Sequence, residues 1–308
     1  MIGDGAGSLR RGARSAGRLL QGLALISVIV GCTAGSEHAQ VPVVKPAAPQ
    51  SSAIRQGTDF VLVGTARQGG VMRGTVPAGT RSLEFDGVAI PIDEDRQFLI
   101  GFDRDSSSSA LVKATMVDGK VIERILTVQP TVWRIEQVNA SPTANIPTTE
   151  FLARRKIELE RIAAARSVAV SSDGWRQSFR WPVTGRISGR FGAQRIYRGE
   201  PGSYHSGVDV AVPAGTLFVA PADGVVVLAA QQPFTLEGYL LIVDHGMGLN
   251  SAFLHCSSLL VKDGDVVKQG QALGTVGATG RATGPHMHWG MKWRDARIDP
   301  MPLAGPIE

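Results

Sequence analysis

Five of the six histidines in this sequence, His205, His245, His255, His286 and His288, lie beyond residue 200, and some stand at spacings that suit a metal ion. His205 and Asp209 are four apart in His-Ser-Gly-Val-Asp, which runs straight into Val210-Ala-Val212. On an extended strand side chains alternate faces with a period of two. An unbroken strand would therefore set His205 and Asp209 on one face and Val208, Val210 and Val212 on the other, toward a core. His286-Met-His288 has spacing two and again places both imidazoles on one face. Two such pairs on neighbouring strands can converge on a single ion. Imidazole nitrogen and carboxylate oxygen are zinc ligands, and three protein ligands leave a fourth position for water, as in catalytic sites. Zinc lowers the pKa of its water to about 7, which makes hydroxide available at neutral pH. Spacing alone leaves His286 and His288 equally eligible as the third ligand. No HExxH occurs, which sets aside a helical site with its own glutamate base. The base has to come from the spare histidines.

The other residues of chemical interest read more plainly. His245, in Asp244-His-Gly246, suits a turn or a core position, and Trp289 and Trp293 suit barrel packing. Arg195 could touch substrate or form a surface ion pair.

The elements that must carry these donors are mostly strands. The chain has 308 residues, enough for about two domains, with 37 glycines, 6% aromatic residues and a mean hydropathy of +0.04. That balance favours a turn-rich β protein over a helical bundle. Runs at 217–220, 224–230 and 239–243 read as strands of an all-β domain over 175–303. Upstream, runs at 60–63, 83–85, 110–117 and 121–128 are punctuated by Asp86-Gly87 and Asp118-Gly119. These are hairpin signals, and the spacing predicts a small β-sandwich over 57–140 that contains no histidine. Between the two, 145–170 predicts one connecting helix. Thr148 or Thr149 caps it, and Leu152, Ile157, Leu159, Ile162 and Ala163 are interleaved with Arg154, Arg155, Lys156, Glu158 and Glu160.

The N-terminus predicts export. Arg10, Arg11, Arg14 and Arg18 against Asp4 account for three of the five net positive charges, and no basic run with interleaved aromatics follows. Nucleic acid is not an expected partner. Residues 19–31 are apolar but shorter than the roughly 20 residues a membrane span needs, so 1–31 reads as a signal peptide. Ile29-Val30-Gly31-Cys32 resembles a bacterial lipoprotein box, which implies cleavage before Cys32, its acylation and stable membrane attachment through several chains. Thr33 in place of aspartate points to the outer membrane, facing the periplasm. Residues 32–56, with Pro42, Pro46 and Pro49, read as a flexible tether. Neither Cys32 nor Cys256 has a CxxC neighbour, and no disulfide between them is expected.

Four stretches together resemble the M23 (lysostaphin/LytM-type) metallopeptidases over roughly residues 182–300. They are Tyr204-His-Ser-Gly-Val-Asp-Val-Ala211, Ala220-Pro-Ala-Asp-Gly-Val-Val226, Asp244-His-Gly246 and Thr283-Gly-Pro-His-Met-His-Trp-Gly290. The resemblance implies a LytM-type all-β catalytic domain and Zn2+ held by His205, Asp209 and His288. It assigns His255 and His286 as catalytic residues that act on water and on the oxyanion. In Phe253-Leu-His-Cys-Ser257, Cys256 replaces a common leucine. The implied substrates are peptidoglycan peptides, cut at D-Ala–diaminopimelate cross-links. Some LytM-like domains instead bind the cell wall or activate an amidase, so cell-wall regulators are the alternative partners. Gly264 to Gly274 resembles a biotinyl/lipoyl carrier hairpin, but no lysine follows at the tip.

Overall fold

The computed structural model describes residues 59–141 and 147–307; the proposed signal peptide, Cys32 and the tether lie outside the described residues. The fold is mainly β, as the composition and turn spacing predict. The first half contributes β1 (Val61–Val63), β2 (Val71–Thr75), β3 (Thr80–Phe85), β4 (Val88–Ile90), β5 (Gln97–Gly101), β6 (Ser109–Met116) and β7 (Val121–Thr127). They form two antiparallel sheets, ordered β1-β2-β5 and β4-β3-β6-β7. Asp86 and Gly87 both take positive φ, 48° and 79°. A two-residue hairpin turn of this hand needs that conformation at both positions, which is why Asp-Gly marks it. β8 (Ile135–Val138) leaves this sandwich and pairs in parallel with β10 (Gln194–Tyr197).

α1 (Thr149–Ser167) starts where the sequence predicts, with the Thr148 hydroxyl accepting from the Phe151 amide at 3.1 Å. Its buried face does not follow its largest apolar residues. Leu152, Ile157 and Leu159 are exposed, while Glu158, Ile162 and Ala165 are buried. The reason is polar. The Glu158 carboxylate accepts from Thr235 N and Thr235 Oγ1 (2.7 and 2.5 Å) and from Arg154 and Arg155 (3.1 and 3.3 Å). A buried carboxylate with its lone pairs so satisfied can hold a helix face that apolar residues would otherwise claim.

The remaining strands are β9 (Arg186–Gly189), β11 (Glu200–Pro201), β12 (Gly207–Ala211), β13 (Leu217–Val219), β14 (Gly224–Ala229), β15 (Tyr239–Asp244), β16 (Leu249–Cys256), β17 (Ser258–Leu259), β18 (Val266–Val267), β19 (Ala272–Thr275), β20 (Met287–Trp293) and β21 (Ala296–Ile298), followed by the short α2 (Met301–Ala304). An eight-stranded sheet ordered β18-β14-β15-β16-β20-β12-β9, with β21 on β20, forms the platform. A second sheet, β13-β19-β17, accompanies it. Phe218, Phe253, Val208, Met287 and Trp289 are fully or almost fully buried. The same core continues into the sandwich, where Trp293 meets Phe85 edge-on with ring centroids 5.8 Å apart. The opposite face of β14, β15 and β16 receives Ile162 and Ala165 of α1.

Candidate metal centre

β12 and β20 are antiparallel neighbours whose register sets Asp209 directly opposite His288. Opposed side chains share a face with Cβ atoms about 5 Å apart, so the two heads meet without strain. His288 Nδ1 lies 2.9 Å from Asp209 Oδ1. His205 Nε2 lies 3.0 Å from that oxygen and 3.1 Å from His288 Nδ1. One ligand atom from each of the three residues falls within 4.8 Å of the other two.

His205 reaches this point differently from the expectation. The strand does not run unbroken from His205 to Val212. β12 starts at Gly207, and its register against β9 shifts between Asp209 and Val210. Ahead of the ladder, His205 N donates to Ala193 O and its carbonyl accepts from Gly192 N, both at 2.8 Å. Those two bonds replace ladder partners and fix where the ring starts.

Two glycines leave room for the ligands. A Cβ on Gly189, the β9 partner of Asp209, would collide with Asp209 Oδ2 and stand 3.1 Å from His205 Cε1. A Cβ on Gly207 would come within 2.6 Å of His288 Nε2. Neither position offers a functional group, so residue type alone does not reveal it.

The hydrogen bonds test whether a cation fits. His205 Nδ1 donates to Arg190 O at 3.0 Å, and a carbonyl can only accept, so His205 Nε2 carries the lone pair in the neutral ring. That lone pair faces an acceptor-only carboxylate oxygen at 3.0 Å. Two acceptors this close repel unless a proton or a metal cation lies between them. Two imidazoles and one carboxylate form a zinc-type donor set with a position left open. The site's charge balance agrees. Burial would raise Asp209, but hydrogen bonds from His205 and His288 hold it far below the usual carboxylate range. Burial, the largest single influence, pulls His205 down, but the hydrogen bond and charge of Asp209 and the bond to Arg190 O together raise the ring; the more deeply buried His288 stays lowered, with burial the dominant cause.

Two further imidazoles flank the trio. His286 Nδ1 donates to Gly284 O at 2.9 Å, leaving Nε2 3.7 Å from Asp209 Oδ1. His255 Nδ1 donates to Thr279 O at 2.8 Å, which leaves its Nε2 unengaged by that bond. On a regular strand His255 would face away, because its neighbour Leu254 is the residue paired with His288. Its φ of 62° lies in the left-handed region, which a non-glycine residue enters at a cost of about 1–3 kcal/mol. The kink turns the ring back, to 5.0 Å from His286 and 6.2 Å from His288 between centroids. Burial lowers the His255 pKa and favours its neutral ring.

The kink is held from outside the sheet. His255 N donates to Glu237 O at 2.8 Å, and the Glu237 carboxylate receives Arg155 of α1 through two bonds of 2.6 and 2.7 Å. With Glu158 bound to Thr235, α1 clamps the 233–237 loop behind His255. Nothing in the local sequence connects a helix at 149–167 with His255; only the fold does.

The structure thus brings His205, Asp209, His255, His286 and His288 to one face. His245 lies in the core, 2.8 Å from both Asp223 O and Ser251 Oγ. Trp289 and Trp293 are buried, in keeping with packing roles. Arg195 forms an exposed ion pair with Glu136 at 3.0 Å. Cys256 is a free thiol in the core.

Known proteins match this region. The model of Peptidase family M23 matches residues 203–300. The peptidoglycan DD-endopeptidase ShyA of Vibrio cholerae is 36% identical over 144 residues, covering 44% of this chain and 32% of that protein. The murein hydrolase activator NlpD of Salmonella dublin is 30% identical over 165 residues, covering 53% and 40%. The match therefore spans about a third of the length of these curated relatives. A crystal structure described as a peptidase M23 from Pseudomonas aeruginosa is 30% identical with a TM-score of 0.61, covering 79% of this chain and 96% of that one. At that coverage the likeness takes in the N-terminal sheets as well as the region around the metal centre.

Proposed function

Since the chain belongs to peptidase family M23, we propose that it is a zinc-dependent endopeptidase that hydrolyses peptide cross-links of bacterial peptidoglycan, D-Ala–diaminopimelate bonds in particular. The observation that supports this most is the convergence of His205, Asp209 and His288, flanked by two imidazoles whose Nδ1 atoms are tied to carbonyls.

In this proposal His205 Nε2, Asp209 Oδ1 and His288 Nδ1 hold the ion. Zinc bound there supplies Lewis-acid polarisation of the scissile carbonyl and a water that ionises near neutral pH. Of His255 and His286, one accepts the proton of the attacking water at Nε2 and the other donates to the developing oxyanion. Arg190 O, Gly284 O and Thr279 O hold the Nδ1–H of His205, His286 and His255 and so aim each Nε2 into the site; the ring that donates to the oxyanion does so as an imidazolium, protonated at Nε2. Water oxygen adds to the carbonyl carbon, the C–N bond breaks, and the proton passes to the departing amine.

The same proposal covers the ends of the chain. Residues 1–31 act as a lipoprotein signal peptide, acylated Cys32 anchors the protein to the envelope, and 32–56 tether it. The sandwich of 57–140 and the helix of 145–170 are accessory to a peptidase domain at 175–303.

The likeness to NlpD favours one competing reading, a cell-wall-binding activator of an amidase. Zinc content of the purified protein, followed by mass analysis of defined cross-linked muropeptides after digestion, separates the two. One zinc per chain with cleaved cross-links is expected. One zinc with no product over hours would favour the activator and overturn the peptidase.

A further inference from the structure

We propose that the cavity between α1 and the β20–β21 hairpin binds a carboxylate of the substrate peptide through Arg166, Lys292 and Arg297, an inference that rests on the peptidase reading above. The cavity has a volume of about 210 Å³, and its walls run from the metal-centre residue His288 past Ser206 and Leu254 to these three cations. That is smaller than the roughly 300–1,000 Å³ of sites that engulf a whole small molecule, and ample for one acidic group.

The charges in this cavity are not balanced from within. Lys292 and Arg297 stand directly opposite each other across the β20–β21 hairpin, a like-charged pair that destabilises a sheet on its own. Among the described residues Lys292 pairs only with Asp295, 3.9 Å away on a fully exposed side chain. The Arg297 guanidinium donates to the Tyr204 hydroxyl at 3.2 Å, and no carboxylate meets it among the described residues. Arg166, in the last turn of α1, forms no ion pair among the described residues, and its Nε is buried without a partner. The one carboxylate lining the cavity, Glu237, has both oxygens taken by Arg155. Burial lowers the pKa of Arg166 and of Lys292; next, the Arg297 charge lowers Arg166 further, and the Arg166 charge lowers Lys292. Three mutually repelling cations, two of them partly desolvated and Arg297 exposed, are costly to keep together, and an anion among them offsets the cost.

The position selects which anion. Lys292 is four residues along β20 from His288, about 13 Å at 3.3 Å per residue. That is about the reach of four extended peptide residues, so an acid on the same peptide as the bond at the metal centre can enter. Arginine and lysine without a buried carboxylate of their own would favour carboxylate over carboxamide.

The test uses the zinc-loaded full chain and two synthetic cross-linked stem peptides, one with free carboxylates and one with carboxamides in their place. In the wild type, amidation is expected to raise KM about tenfold with kcat within about twofold. Arg166→Gln and Lys292→Gln should each bring the acid-to-amide ratio toward one, whereas Arg166→Lys should keep most of it. Each Gln variant should keep its zinc and melt no lower than the wild type, since it relieves repulsion. An acid preference undiminished in both Gln variants, or absent from the wild type, overturns the subsite. Calorimetric binding of both peptides separates the two ideas. Acid-selective binding that the Gln variants lose, without cleavage of either peptide, supports the subsite and overturns the peptidase.

Discussion

Asp209 and His288 are directly paired across β12 and β20, with Oδ1 of one 2.9 Å from Nδ1 of the other. The ladder that builds the sheet therefore also builds two-thirds of the metal centre. His205 completes it from outside the ladder. The centre is as rigid as the platform, and that rigidity makes its parts separable by mutation.

His288→Ala removes a donor and should abolish bound zinc along with turnover. His286 is 3.7 Å from the Asp209 oxygen and its Nδ1 is tied to Gly284 O, so His286→Ala should keep zinc and lose roughly 10²–10⁴-fold in turnover, as for loss of a proton-transfer group. Metal analysis beside kinetics checks both. Equal zinc loss in the two variants would overturn the ligand assignment.

Gly189→Ala should weaken zinc although Gly189 is not a ligand. Its new methyl group would push on Asp209 Oδ2 and press on His205 Cε1. A loss of about 10–100-fold in metal affinity, the usual scale for disturbing a ligand's supports, is expected in a chelator competition. Unchanged affinity would show that the strands yield more easily than their pairing implies.

Glu158→Ala should cost about 1–3 kcal/mol, since it removes a buried carboxylate and leaves the half-buried Thr235 amide and hydroxyl without their acceptor. The loop behind His255 should loosen with it. Faster hydrogen exchange at the Thr235 and His255 amides, together with reduced turnover and retained zinc, is the expected pattern. Unaltered exchange at His255 would show that α1 does not support the kink.

Burial lowers the His245 pKa to about 4 from an ordinary 6.5. A lowered histidine contributes stability that is complete above pH 6.5 and lost as pH falls toward 4, because the unfolded chain then binds the extra proton. The stability gap between wild type and His245→Gln should therefore widen by about 3 kcal/mol from pH 4 to pH 6.5. Asp244, raised by burial to about 6, works in the opposite sense over pH 3.8–6. Comparing the two proteins at each pH cancels it. Urea unfolding at pH 4, 5 and 6.5 makes the measurement, and a constant gap would mean the ring is not held neutral.

Burial pushes the Cys256 thiol up to about 12, and the residue is fully buried. In a soluble chain begun after Cys32, a thiol reagent should not react with the native protein and should titrate one thiol after unfolding. Rapid reaction under native conditions would indicate that the β15–β16 region opens readily.

Much of this was fixed by residue type and spacing. His286-Met-His288 places two rings on one strand face because a strand alternates by two, and Asp86-Gly87 turns a hairpin because both positions need positive φ. The helix start at Thr148 and the core role of His245 were legible for similarly local reasons. What the sequence could not supply is the pairing of distant strands. Asp209 meets His288 only because β12 docks on β20 in one register, and a slip by one residue would turn either side chain to the core. His255 reaches the site only through a left-handed kink braced by a loop and by α1, more than 80 residues away. Glu158 is buried while Leu152 and Leu159 are exposed, since Thr235 and the arginines that satisfy Glu158 come together only in the folded chain. Local periodicity determines which face a side chain takes, and tertiary packing decides which faces meet.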